Sequence, residues 1–110
     1  MPRRSATSLG NAYARPWRPR AAYRHSAESS IYLAPGATGR GLGTLLYQAL
    51  IADLRQRGRH CVIGGVALPN ATSVALHEKL GFAKVAEFKQ VGFKLGRWVD
   101  VAYWELMLQA

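Results

Sequence analysis

The chain has 110 residues, 49% of them hydrophobic, and a formal net charge of +9. That length holds one small domain and not two, and the apolar share calls for a packed core and excludes a disordered chain. A lone cysteine, Cys61, excludes a disulfide framework and fits a reducing compartment, and no apolar run reaches transmembrane length.

Residues 1–10 show no clear period and read as an irregular lead-in, with 11–110 as the single domain. The start, Met1-Pro2-Arg3-Arg4-Ser5, lacks the apolar stretch of a signal peptide, so the cytoplasm is the expected location. Six of the fifteen basic residues fall in the first 24: Arg3, Arg4, Arg15, Arg18, Arg20 and Arg24. Such an excess favours an anionic partner, either nucleic acid or a polyanionic cofactor or acidic substrate, and charge alone does not choose.

Asn11 to Ala14 read as a short strand, after which Pro16 and Pro19 force an extended or turning path. Residues 26–34 read as a strand, ended by Pro35-Gly36. Then comes Thr38-Gly39-Arg40-Gly41-Leu42-Gly43. A glycine turn there lets the backbone approach a phosphate, and a following helix aims its free N–H groups at it. The helix is expected over 41–57, with Leu42, Leu45, Leu46, Ala49, Leu50 and Leu54 on one apolar face and Gly58 as its stop.

The run His60 to Leu68 suits a strand buried on both faces, with Cys61 as a small buried hydrophobe in it. A short helix over 71–80 follows, capped by Asn70 and ended by Gly81. Phe82 to Phe93 reads as a long strand, Leu95-Gly96-Arg97 as a turn, and Trp98 to Leu108 as the returning strand. The order β–β–α–β–α–β–β gives a mixed α/β (α+β layered) domain closed by an antiparallel hairpin. A dinucleotide-binding fold would need an acidic residue about twenty positions beyond the glycines, and none stands there.

From about Asn11 to the C-terminus the chain resembles the GNAT N-acetyltransferases, and within them the phosphinothricin N-acetyltransferase group. The resemblance rests on Tyr13-Ala14-Arg15-Pro16-Trp17-Arg18-Pro19-Arg20, Glu28-Ser29-Ser30-Ile31-Tyr32, the glycine loop, Leu68-Pro69-Asn70, and Leu76-His77-Glu78-Lys79-Leu80-Gly81-Phe82. The ending Gly92-Phe93-Lys94-Leu95-Gly96-Arg97-Trp98-Val99-Asp100-Val101 is also typical of the group.

The resemblance implies a GNAT-like mixed sheet, acetyl-CoA as cosubstrate without a metal, and a small amino-acid-like amine as acceptor. It puts the CoA pyrophosphate on the backbone from Gly39 through Arg40, Gly41, Leu42 and Gly43 to Thr44. The pantetheine arm would pair with Ile31, Tyr32 and Leu33, and Asn70 would meet the cofactor arm, cap its helix, or do both. Glu28 matches the base that deprotonates the ammonium, directly or through a water; otherwise it is a surface carboxylate paired with an arginine such as Arg24. His77 stands where many members carry a tyrosine that protonates the leaving thiolate; otherwise it is a histidine packed against Val74 and Leu80. Arg20 and Tyr23 match acceptor-pocket positions, the arginine suiting a carboxylate or phosphinate.

Two features depart from the pattern. Thr38 replaces the usual Gln or Arg that braces the phosphate loop. The strand, two helices and further strand that members carry before the Tyr13 region have no counterpart in the ten or so residues present. The remaining sheet would then expose an apolar face and an unpaired edge, for which a homodimer is one remedy. The other readings are a truncated CoA-binding remnant without turnover, and a basic nucleic-acid-binding module, against which the ordered motifs argue.

Overall fold

The computed structural model describes residues 3–7, 10–33 and 41–109. Its strands are β1 (Arg3–Thr7), β2 (Gly10–Pro16), β3 (Ser26–Leu33), β4 (Cys61–Ala67), β5 (Ala83–Lys94) and β6 (Arg97–Met107). Its helices are α1 (Leu42–Gln56) and α2 (Ala71–Lys79), with a 3-10 turn at Ala21–Tyr23. The strands form one six-stranded sheet in the order β1-β2-β3-β4-β6-β5. β3 and β4 are parallel, because α1 carries the chain back between them, and all other neighbours are antiparallel. The mixed α/β layered class and the closing hairpin are as expected.

Both helices lie on the same face of the sheet. A Cβ on Gly64 would meet His77 of α2 and Tyr47 of α1, so both helices cover the face towards which Gly64 points. Strand alternation puts Val62, Val66, Ala27, Ser29, Ala102 and Trp104 on that face, and all of them are buried. Small residues at Ala12, Ala14 and Ala27 leave room for α1 to sit close on β2 and β3, where Leu46, Leu50 and Leu54 fill the core. Tyr13, Glu28, Ile63, Tyr103 and Glu105 point the other way, and none of them is buried. On this second face Trp17 meets Tyr103 edge-on at 6.0 Å between ring centres, and Phe88 meets it at 5.9 Å.

Several elements differ from the sequence expectation. Residues 1–10 are not all irregular: β1 forms there and pairs with β2 from Arg3↔Ala14 to Thr7↔Gly10. Arg-Arg-Ser-Ala-Thr carries no hydrophobic period, and backbone pairing to an open edge is what makes it a strand. The α1 stripe is also rotated. Leu45 is 64% exposed and Ala49 is exposed, while Tyr47 and Ile51 are buried beside Leu46, Leu50 and Leu54. Two stripes of equal period were available, and the sheet took the one holding the tyrosine. β5 is the long strand expected over 82–93, with register shifts at Lys84/Ala86 and Phe88/Gly92.

The end of α2 follows its sequence signals closely. Gly81 has φ +95°, a conformation costly for any residue with a Cβ. It donates to the Glu78 carbonyl at 3.1 Å, and Phe82 donates to the His77 carbonyl at 3.0 Å. That turn delivers Phe82 into the core. Asn70 caps the other end, accepting from the Ser73 N–H at 3.1 Å. Asn70→Ala is expected to cost about 1 kcal/mol, read as a lower midpoint at unchanged slope in urea unfolding. Cys61 is buried and free, its thiol 3.3 Å from the Ser26 hydroxyl.

Candidate functional site

The parallel pairing of β3 with β4 runs from Ser26↔Cys61 to Ser29↔Gly64 and stops there. β3 continues to Leu33 and β4 to Ala67, so the two strands part after Ser29 and Gly64. The parting leaves strand-edge backbone groups available to an extended ligand. A cleft of about 210 Å³ opens at this point, and Ser29, Ile31, Tyr47, Val66, Asn70 and His77 line part of its wall. It adjoins a second hollow of about 500 Å³ that shares Ala67 and Asn70 and carries Lys94 and Arg97.

A chain of hydrogen bonds runs along the helix side of the cleft. The Ser29 hydroxyl lies 2.5 Å from the Tyr47 hydroxyl, which lies 2.9 Å from His77 Nε2. His77 Nδ1 lies 2.7 Å from the Ser73 carbonyl oxygen. Aromatic rings fix the imidazole: Tyr47 edge-on at 5.1 Å, Phe82 edge-on at 5.0 Å, and Trp104 tilted at 6.1 Å. These three rings surround His77 on the core side of α2.

His77 is 2% exposed. Burial holds its pKa below the ordinary 6.5, and the bond to Ser73 only partly opposes that. Burial likewise pushes the Tyr47 hydroxyl up to about 12, against the lowering effect of Ser29. Both groups are therefore neutral at neutral pH. A histidine lowered in this way gives its full stabilisation above 6.5 and loses it as pH falls towards the folded value, because the unfolded chain takes up the proton first. The melting temperature is expected to drop as pH falls from about 7.5 to about 5, and His77→Gln to flatten that slope. His25 and His60 are exposed.

Glu28 sits on the opposite face from His77, one residue before Ser29. Its carboxylate lies 3.6 Å from Arg15 Nε across the β2–β3 pair. Arg15, and not the suggested Arg24, is its ion-pair partner. The structure thus does not bring Glu28 and His77 together on one face; they flank the parted strands from opposite sides.

The start of α1 is capped by Gly41 in the left-handed region at φ 74°, with no side-chain cap and no acidic residue in the first turn. Among the described residues Gly41, which has no side chain, leaves the first-turn N–H groups at Leu42, Gly43 and Thr44 without a side-chain cap, as an anion site requires. Thr38, Gly39 and Arg40 lie outside the described residues, as do the side chains of Tyr32 and Leu33. Arg20 and Tyr23 are exposed and share a separate hollow of about 330 Å³ with Trp17. Among the described residues no group of three or more His, Cys, Asp or Glu side chains converges on a metal site. No helix among them is long and apolar enough to cross a membrane.

Sequence reasoning missed Tyr47 and gave Ser29 no role. A tyrosine in the stripe opposite a histidine of a second helix was the available signal, but only contact between α1 and α2 joins them.

Residues 8–82 match the acetyltransferase (GNAT) family, and the chain belongs to that family. It is 44% identical over 97 residues to a phosphinothricin N-acetyltransferase of Streptomyces coelicolor, covering 88% of this chain and 57% of that protein. It is 40% identical over 92 residues to an L-methionine sulfoximine/L-methionine sulfone acetyltransferase of Salmonella typhimurium, covering 84% and 54%. Among solved structures it superposes on an acetyltransferase of Salmonella typhimurium holding its cofactor acetyl-CoA, with TM-score 0.89, 39% identity, and 92% and 58% of the two chains covered. A phosphinothricin acetyltransferase of Sinorhizobium meliloti in complex with acetyl-CoA gives TM-score 0.86 at 39% identity, with 90% and 54% covered. The chain spans a little over half the length of these relatives.

Proposed function

We propose that this chain carries an acetyl-CoA-dependent N-acetyltransferase site that moves the acetyl group directly to the amine of a phosphinothricin-like or other small amino-acid acceptor. The observation that carries the reading is the parting of β3 and β4 beyond Ser29↔Gly64. It gives a thioester arm a slot with a strand edge on each side. The names of the relatives support the donor and the acceptor class.

In this reading the pantetheine arm lies along Ile31, Tyr32 and Leu33, reaching past Asn70. The pyrophosphate sits on the amides of Thr38 to Thr44, at the positive end of α1. Glu28 removes a proton from the ammonium from the open face, and the neutral amine attacks the thioester carbonyl. His77 serves the departing thiolate from the helix side. Arg20 and Tyr23 hold the acid group of the acceptor. No metal takes part. A cytoplasmic location and a homodimer belong to the same proposal, the latter supported by the exposed Phe88, Phe93 and Trp98 of the closing hairpin.

The test is thiol release from acetyl-CoA against a panel of amino-acid analogues that includes phosphinothricin and methionine sulfoximine. Release that depends on one of these amines is the expected result. A melting temperature raised by CoA with no release from any amine would replace this reading with that of a CoA-binding remnant. Steeply salt-dependent nucleic-acid affinity without CoA binding would replace it with a nucleic-acid module.

A further inference from the structure

The hydrogen-bond chain beside the cleft has a fixed direction. The Ser73 carbonyl can only accept, so His77 Nδ1, 2.7 Å away, carries the hydrogen. In a neutral imidazole Nε2 is then the acceptor. Tyr47 must donate its O–H to Nε2, and Ser29, the only other group bonded to the Tyr47 hydroxyl among the described residues, donates its O–H to that oxygen. Both hydroxyl hydrogens in the chain point from Ser29 towards His77. Ser29 lines the cleft and gives its one hydroxyl hydrogen inward to Tyr47. The chain is set to take a proton in.

Direct acetyl transfer to an ammonium releases two protons from nitrogen and needs one at sulfur. Glu28 faces the open side of the sheet and can pass one proton to solvent. The second proton sits on the nitrogen of the tetrahedral intermediate, and Glu28 has no described contact with the helix side. We propose that Ser29, Tyr47 and His77 carry this second proton out of the reacting centre and return it to the thiolate, with Tyr47 as the positioning residue in the middle. The proposal rests on the transferase reading above.

The nitrogen proton passes to Ser29 Oγ as the Ser29 proton moves to Tyr47 Oη and the Tyr47 proton to His77 Nε2. His77 is then an imidazolium held by Ser73. When the carbon–sulfur bond breaks, the three hops reverse and the proton lands on sulfur, leaving the amide and free CoA. Burial disfavours the imidazolium, so the proton does not remain on His77.

Tyr47→Phe keeps the ring stacked on Phe82, 5.7 Å away, and removes only the hydroxyl. Ser29→Ala removes the entry to the path. Each is expected to lower kcat about 10-fold to 100-fold with KM for acetyl-CoA within about two-fold, and the double variant to be no slower than the slower single. Nitrogen-15 spectra of the histidines, near neutral pH, should show His77 protonated on Nδ1 with Nε2 as a hydrogen-bonded acceptor, and should show that acceptor bond lost in Tyr47→Phe. Wild-type kcat in both variants, or losses that multiply, would overturn the proposal while the transferase reading stands. So would a His77 protonated on Nε2, whether or not the protein turns over. A wild-type protein with no transferase activity removes the transferase reading and the proton path with it. If Tyr47→Phe melts early, Ser29→Ala and the wild-type spectrum decide.

Discussion

Glu28→Gln is expected to lower amine-dependent turnover of acetyl-CoA by about 10²-fold to 10⁴-fold, the range of a lost general base. The amide keeps the size of the side chain and loses its basicity. The fold should barely respond. The ion pair of Glu28 with Arg15 is 3.6 Å long and its arginine is more than half exposed, so it contributes no more than about 1 kcal/mol. A melting temperature within a few degrees of wild type is therefore part of the expectation. The residual rate of the variant should climb with pH, since the acceptor then deprotonates without help. Steady-state kinetics across pH check this, and a variant as fast as wild type throughout would move the base elsewhere.

Gly64→Ala is expected to damage both stability and activity, although it adds one methyl group. The new Cβ would stand 2.5 Å from His77 Nε2, 2.9 Å from His77 Cδ2 and 3.1 Å from the Tyr47 hydroxyl. None of these atoms can retreat easily. The imidazole is caged by Tyr47, Phe82 and Trp104, and its far nitrogen is tied to Ser73. Overpacking of this kind costs about 1–3 kcal/mol, or a fall in melting temperature on the order of 4–8 °C per kcal/mol in a domain this small. The methyl group also separates His77 from Tyr47, so kcat should fall even in the fraction that remains folded. Thermal melts with kinetics on the folded protein test the two effects separately, and a variant matching wild type in both would mean the helix side of the cleft is far softer than the cage implies.

Local signals in the sequence located the helices because they are local in origin. Gly81 ends α2 through its own backbone conformation, and Asn70 starts it with a bond three residues away. The same holds for the closing hairpin, where Leu95 and Gly96 turn the chain with positive φ. β1 was not legible, since its residues gain strand form only by pairing with β2. The stripe of α1 was legible as a period but not in phase. Leu45 and Tyr47 are equally good helix positions, and only the sheet beneath decides which is buried.

For the candidate site the division is similar. Glu28, His77, Asn70 and the glycine loop could be picked out from motifs that resemble a known family, and the chain belongs to that family. The partners of these residues could not. Arg15 meets Glu28 through strand register, and Tyr47 meets His77 because Gly64 lets two helices approach over one strand.

The sequence by itself determined both helices, their caps, the closing hairpin and the family, because propensity, turn chemistry and motif spacing act over a few residues. Only the tertiary structure decided that β3 and β4 part after Ser29↔Gly64, that Glu28 and His77 stand on opposite sides of that opening, and that a serine and a tyrosine join the histidine. The serine–tyrosine and tyrosine–histidine bonds alone join residues 18 and 30 apart in the chain, and no short-range pattern encodes register and burial over such separations.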